Sequence, residues 1–350
     1  MHLRRCLLGL LCVSLAAAPL RAFAWEAEGH RFVSGAAIRA LPVTLPAFLR
    51  TATAHDEIAL LGPEADRVKG AGDPLDGDDN PAHYVDALDD YSIAGVVKLS
   101  ALPKDRHEYD KALRAASTDQ YGQGYLPYQI ADGWQRVVRD FAYWRLDGVG
   151  AAKAATAQDR AFFEFDRTVR EALTLRDIGY WGHFVGDASQ PLHVSVHFNG
   201  WNQFDFRTKL PRTNYPNPRG FSDSSTIHSR FEGALVRAVA TEDLVAARVA
   251  PVNASADPIL TQVGAYLIAT ESHVPDVYLL EAAGGIDTRS PAAKELVLER
   301  LAAGAAEMRD LIVAAWNASA DMKVGYPGVP VRDYESGKTV PSRASAGVGD

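Results

Sequence analysis

Apolar side chains recur at three- and four-residue spacing along most of this chain, and that period constrains its fold more than any other feature. Ala27–Ala40 carries Phe32, Val33, Ala36, Ala37 and Ala40 on one helical face. Gln129–Leu146 aligns Trp134, Val137, Val138, Phe141 and Trp144; Ala161–Asp187 aligns Phe162, Phe165, Val169, Leu173, Ile178, Trp181 and Val185. Thr226–Val239, Pro258–Glu271 and Ala292–Ala315 repeat the pattern, whereas strand-like alternation is short and scarce. The period predicts a mainly α fold, a single multi-helix domain over residues 25–320. Two loops punctuate it, Gly/Asp/Pro-rich 70–81 and proline-rich 198–225, the second long enough to expect function. Residues 321–350 are rich in Pro, Gly and Ser and read as a tail.

Residues 1–24 read as a cleaved signal peptide. Arg4 and Arg5 precede an apolar run over Leu7–Ala18, and Ala22-Phe23-Ala24 is a small-residue cleavage site. A membrane span needs about 20 apolar residues, and no stretch reaches that length, so the mature chain is expected to be secreted or periplasmic with no transmembrane segment. The only cysteines, Cys6 and Cys12, leave with the leader. Thiolate metal sites and a disulfide framework are therefore excluded from the mature chain, and a metal held by other ligands is the first candidate staple. Loss of three arginines and no acids would deepen the net charge from −8 to −11. A broadly basic surface that coats nucleic acid is excluded. No stable protein partner is implied.

Histidines and carboxylates carry the chemistry. His183 and Asp187 stand four apart in Trp181-Gly182-His183-Phe184-Val185-Gly186-Asp187, which puts both on one helical face, one turn apart. Pro191 stops the helix, and His193 returns on the next segment. His228 and Glu232 repeat the four-residue spacing. Asp66, His83 and His30 complete the candidates, and imidazole with carboxylate suits zinc without any thiolate. Cleavage after Ala24 would free the amino group of Trp25, which with its own carbonyl can chelate a metal. His197 is read as a loop histidine; His55, His107 and His273 lack a carboxylate at metal spacing and are assigned to structure or surface.

These segments, Trp-x4-His, Asp…His-Tyr-x-Asp, His-x3-Asp-x5-His and His-x3-Glu, together resemble the zinc-dependent phospholipase C and single-strand-specific nuclease (S-one/P-one nuclease) superfamily over Trp25–Glu232. The resemblance implies the phospholipase C/P-one nuclease-like fold and three Zn²⁺. Asp66, His83, His183 and Asp187 would hold one; Trp25, His30 and the other oxygen of Asp187 a second; His193, His228 and Glu232 the third. Zinc lowers the pKa of bound water to roughly 7 and stabilises a leaving oxygen, so phosphodiester hydrolysis needs no covalent nucleophile from the protein. Asp86 would orient the attacking water or its histidine ligand, and Lys69 would contact phosphate.

The two branches leave different marks. The short Trp25–His30 interval is nuclease-like, and His197-Phe198-Asn199-Gly200-Trp201-Asn202 resembles the nuclease base loop with one glycine replaced by Trp201. Asn202 would bind a base; Trp201 would stack on it, cover a lipid headgroup or pack in the core. Glu232-Gly233 looks like the phospholipase version, since nucleases usually place Asp there followed by Asn. The favoured expectation is an endonuclease releasing 5′-phosphorylated products from single-stranded DNA or RNA; the alternative is a phospholipase C acting on phospholipid headgroups.

Overall fold

The computed structural model describes residues 25–202 and 215–347. The expected leader with both cysteines, residues 203–214 of the second loop and the last three residues lie outside them. Among the described residues the fold is mainly α-helical, with two small antiparallel hairpins, β1 (Ser92–Ile93) with β2 (Val97–Lys98) and β3 (Lys323–Val324) with β4 (Val329–Pro330). No helix is long and apolar enough to cross a membrane among those residues.

The periodic segments form α1 (Glu26–Arg39), then, after two shorter helices the period does not reveal, α2 (Ala52–Leu61) and α3 (Arg106–Ala115), the long α4 (Leu126–Lys153) and α5 (Ala157–Asp187). Beyond the second loop come α6 (Ile259–Glu271), α7 (Val274–Ala282), α8 (Pro291–Ser319) and a final turn, α9 (Val331–Glu335). Side-chain oxygens start several of them. Thr51 accepts from Ala54 N, Asp105 from Glu108 N and Thr156 from Asp159 N, each satisfying a donor the helix leaves open.

α4 and α5 pack lengthwise as a helical hairpin, and α8 lies against both. α1 is enclosed by α2, α5 and α8, which is why Val33, Ala36, Ala37 and Ile38 are buried together. The apolar stripe expected along α5 holds only in part. Phe165 is 71% exposed and Val169 37%, because the first half of α5 projects beyond the core, where Phe163 instead turns inward. From Asp177 onward the helix is enclosed by α1, α2, α4 and α8, and Trp181–Asp187 is buried on every side.

The stretch expected to be a tail is folded. Val324, Val331, Tyr334 and Ala346 bury against Ala142, Leu146 and Phe163 as a second small core at the far end of the α4–α5 hairpin. Gly325, Pro327 and Gly328 serve the β3–β4 turn, and Gly347 ends the Arg343–Ala346 turn. The 226–239 segment is one helical run of three kinds: Ile227–Ser229 is α, Arg230–Leu235 is π and Val236–Val239 is α again. Widened turns of this kind are rare and concentrate at functional sites.

Candidate metal centre

The C-terminal end of α5 is the floor of the site. Gly182 and Gly186 lie on its inner face, and a Cβ on Gly186 would stand 3.0 Å from His30 Nδ1. That absent side chain lets α1 approach until the His30 and His183 rings stack at 3.8 Å. The last carbonyls of α5 are taken by side chains from elsewhere: Trp25 Nε1 donates to Gly186 O (2.9 Å) and Tyr266 OH to Val185 O (3.0 Å). Asp187 is thereby fixed at the end of a fully clamped helix.

Among the described residues three groups of His, Asp and Glu can each hold a metal ion: His30 with Asp66 and His183; His83 with His183 and Asp187; and His193 with His228 and Glu232. The first two share His183. The oxygens of Asp187 divide between them, Oδ2 lying 3.1 Å from His83 Nδ1 and 3.4 Å from His183 Nε2, and Oδ1 3.5 Å from His30 Nε2. Asp66 Oδ1 stands 3.5 Å from His183 Nε2 and 3.9 Å from His83 Nδ1.

Backbone carbonyls settle which nitrogens face inward. His183 Nδ1 donates to Gly62 O (2.8 Å), His193 Nδ1 to His83 O (2.7 Å) and His228 Nδ1 to Phe198 O (2.9 Å). A carbonyl only accepts, so each Nδ1 carries a proton, and in the neutral ring Nε2 is a bare lone pair. Burial first, then neighbouring cationic groups, push the pKa of His30, His83 and His183 well below the ordinary histidine value; burial also lowers His193.

With the rings neutral, lone pairs meet lone pairs. His193 Nε2 and His228 Nε2 are 3.1 Å apart, with Glu232 Oε2 at 3.5 and 2.8 Å from them. Two ligands at about 2.0–2.1 Å from one tetrahedral zinc stand about 3.3 Å apart, and these three separations bracket that value. Both nitrogens of His30, His83 Nε2, Asp187 Oδ1 and Glu232 Oε1 are buried without a hydrogen-bond partner, and Asp66 Oδ1 meets only the Lys69 ammonium. Orphaned acceptors at this density are costly unless a cation shares them. The donor set fits zinc, and on its chemistry excludes a soft-metal thiolate site.

Burial drives the Asp187 carboxyl well above the usual carboxylate range, against the pull of Lys69. At Glu232 burial also pushes upward, but His228 and His193 in their protonated forms outweigh it and hold the carboxyl at about 2. Lys69, three residues beyond Asp66, is nearly buried and ion-paired with it, so its ammonium faces the pocket. The structure also shows a residue the sequence reading missed. Gln190 Nε2 donates to Glu232 Oε2 (3.1 Å) while its carbonyl accepts from Leu192 N, orienting Glu232 from outside the cluster. Its place in the turn after α5, before Pro191, was its only signal.

Other expected residues sit differently. Asp86 is half-buried and belongs to none of the three groups; its backbone N–H donates to Gln123 O. Trp201 takes the packing reading: it is 5% exposed, stacked on His197 at 3.7 Å and enclosed by Phe221 and Tyr278. Asn202 accepts through its amide oxygen from Tyr215 N (2.8 Å) within the second loop. His197 gives Nδ1 to Trp201 O and sets Nε2 against Asp89; it joins no cluster. His55 and His273 do have carboxylate neighbours, Asp56 and Glu242 for one and Asp276 for the other, in half-exposed pairs away from the three groups. No family model, curated protein or solved structure matches the chain.

Proposed function

We propose that this chain is a secreted or periplasmic zinc-dependent phosphodiester hydrolase, acting as an endonuclease on single-stranded DNA or RNA. The observation that carries the reading is the facing of bare imidazole nitrogens and carboxylate oxygens in three adjoining, buried groups. His30, Asp66, His83, His183, Asp187, His193, His228 and Glu232 would hold three Zn²⁺, with the amino group and carbonyl of Trp25 completing one set once the leader is removed. Bound zinc supplies Lewis acidity and water of lowered pKa, which suits phosphodiester hydrolysis.

The chain's own residues do the rest. Asp187 ties the first two groups together through its separate oxygens. Gln190 and the carbonyls of Gly62, His83 and Phe198 hold the ligands in one tautomer and orientation. On this reading Lys69 would exchange its contact with Asp66 for a substrate phosphate oxygen, and Asp86 would orient the attacking water or its histidine ligand.

The phospholipase C reading keeps one specific support. Glu232-Gly233 lacks the nuclease Asp-Asn. The test incubates purified mature protein with single-stranded DNA, RNA and phosphatidylcholine, with and without chelator, alongside zinc analysis. Nucleotide release that a chelator abolishes, with two or more zincs per chain, is the expected result. Phosphocholine release without nucleotide release would replace the nuclease reading.

A further inference from the structure

Far from the three groups, at the other end of the α4–α5 hairpin, α4, α5, α8 and α9 enclose a groove of about 430 Å³. Trp144, Arg145, Lys153, Arg167, Trp316 and Glu335 line it, three cations against one acid on a chain with an acidic excess. Two of the cations lie on indoles: Arg145 Cζ is 3.4 Å from the Trp316 ring centroid and Arg167 Cζ 4.0 Å from that of Trp144. At those distances a guanidinium lies over the ring, and its other face is a platform of the kind on which nucleobases stack.

The cations are not equally occupied. Arg145 is spent internally, on Ser319 Oγ, Glu335 Oε1 and Trp316 O. Lys153 reaches one backbone carbonyl, Tyr334 O, at 3.3 Å. Arg167 has no carboxylate at ion-pair distance among the described residues, and its Nε is buried with no hydrogen-bond partner. Arg145 therefore builds the wall, while Arg167 and Lys153 keep charge for a ligand.

We infer that this groove is a second, metal-independent site that holds a nucleotide unit of a single-stranded nucleic acid, its base stacked on the Arg167–Trp144 pair and its phosphate drawn to Arg167 and Lys153. Naming that strand as the substrate rests on the nuclease reading; the binding itself does not. Arg167 precedes His183 by sixteen residues on the same helix, a separation of about 24 Å along its axis. A 12-mer, at roughly 3.4 Å per stacked nucleotide, is longer than that distance. The groove thus supplies a foothold remote from the three groups.

The test titrates the zinc-loaded full chain with a hydrolysis-resistant phosphorothioate 12-mer of adenylate, followed by tryptophan fluorescence across a salt series. Arg167→Gln is expected to weaken binding about tenfold, through lost stacking and charge, and to lower the slope of log affinity against log salt by about 0.7. Lys153→Gln should lower the slope alike with a smaller loss of affinity, and Arg167→Lys should restore the slope but not the stacking. A 12-mer of abasic phosphates should bind about tenfold more weakly than the adenylate strand. Wild-type affinity and slope in both Gln variants, with melting temperatures unchanged, would overturn the site, as would phosphatidylglycerol vesicles binding through these residues while the 12-mer does not. Groove-dependent binding by a protein that cleaves no nucleic acid would sink the nuclease reading and leave the groove standing; chelator-sensitive cleavage with unaltered variants would do the reverse.

Discussion

The α4–α5 hairpin has two ends built on opposite terms. At one, the last three turns of α5 are buried on all sides and bring acceptors from α1, the 66 and 83 segments and the 226–239 helix to within 3–4 Å of one another. At the other, α5 stands half in solvent, and its polar groups pair locally or stack: Thr156 with Asp159, Arg170 with Asp166, Trp144 with Glu171 and Arg167. The first end spends stability on convergence of unsatisfied ligands; the second gains it from ordinary caps, ion pairs and the small core under α9. A function that needs a cation belongs at the first and one that needs only contact belongs at the second.

The sharpest way to break this contrast is Asp187→Asn. The amide removes a charge from an end where two ligand groups lean on the same side chain, so activity should fall more than about 100-fold and zinc content by at least one equivalent per chain. The melting temperature should drop as well, because metal binding is linked to folding. Metal analysis and thermal denaturation check this together; full zinc content in the variant would dissolve the bridge.

What the sequence made legible follows the same division. Helices that bury one continuous face, α1, α4, α6 and α8, show their period plainly. α2, α3 and α7 are nine or ten residues long, too short for the period to stand out, and are marked chiefly by caps such as Thr51 and Asp105. The 321–347 segment escaped because its four buried residues follow no helical period, and only α4 and α5 make them a core. In the site, ligand type and four-residue spacing were readable for His183 with Asp187 and His228 with Glu232, since helices convert spacing into direction. The carbonyls that choose each tautomer, the missing Cβ at Gly186 and the Gln190–Glu232 bond depend on contacts across 30 to 160 residues, which no local pattern contains. Trp201 was open to several readings because an aromatic in a loop looks the same whether its partner is a base or His197.

One group complicates the second end, and it offers an intermediate test. Asp147 on α4 is fully buried, both its oxygens lack hydrogen-bond partners, and burial with nearby Asp166 pushes its carboxyl up to about 8 against the pull of Arg170 and Arg167. Unfolded, the same group titrates near 3.9. Between roughly pH 4 and 8 the native chain therefore binds more protons than the unfolded one, and stability falls as pH rises. Asp147→Asn removes that slope. The variant should match wild type near pH 4 and exceed it by about 1–3 kcal/mol at pH 8, measured by urea denaturation at both values with zinc content unchanged. A variant less stable at pH 8 would mean that Asp147, like Asp187, serves a bound cation, and the two ends would then be alike.

The smallest effect draws the boundary most finely. Thr156 caps α5 at its exposed start, its hydroxyl accepting from Asp159 N at 3.0 Å and donating to the Asp159 carboxylate at 2.7 Å. Thr156→Ala opens one N–H to solvent at a terminus that water already reaches, so it should cost about 1 kcal/mol. The metal end lies thirty residues away along a helix clamped independently by Trp25, Tyr266 and Gly62. Fraying of the first turn has no route to that clamp, because helix ends melt within a turn while the enclosed turns open only with the whole domain. Zinc content and hydrolytic rate should therefore stay at wild-type values while amide exchange quickens at Asp159 and Arg160 and stays slow from Asp177 to Asp187. Faster exchange across the whole helix would show that α5 is one cooperative unit, and that the stability invested at its surface end holds the metal ligands in place.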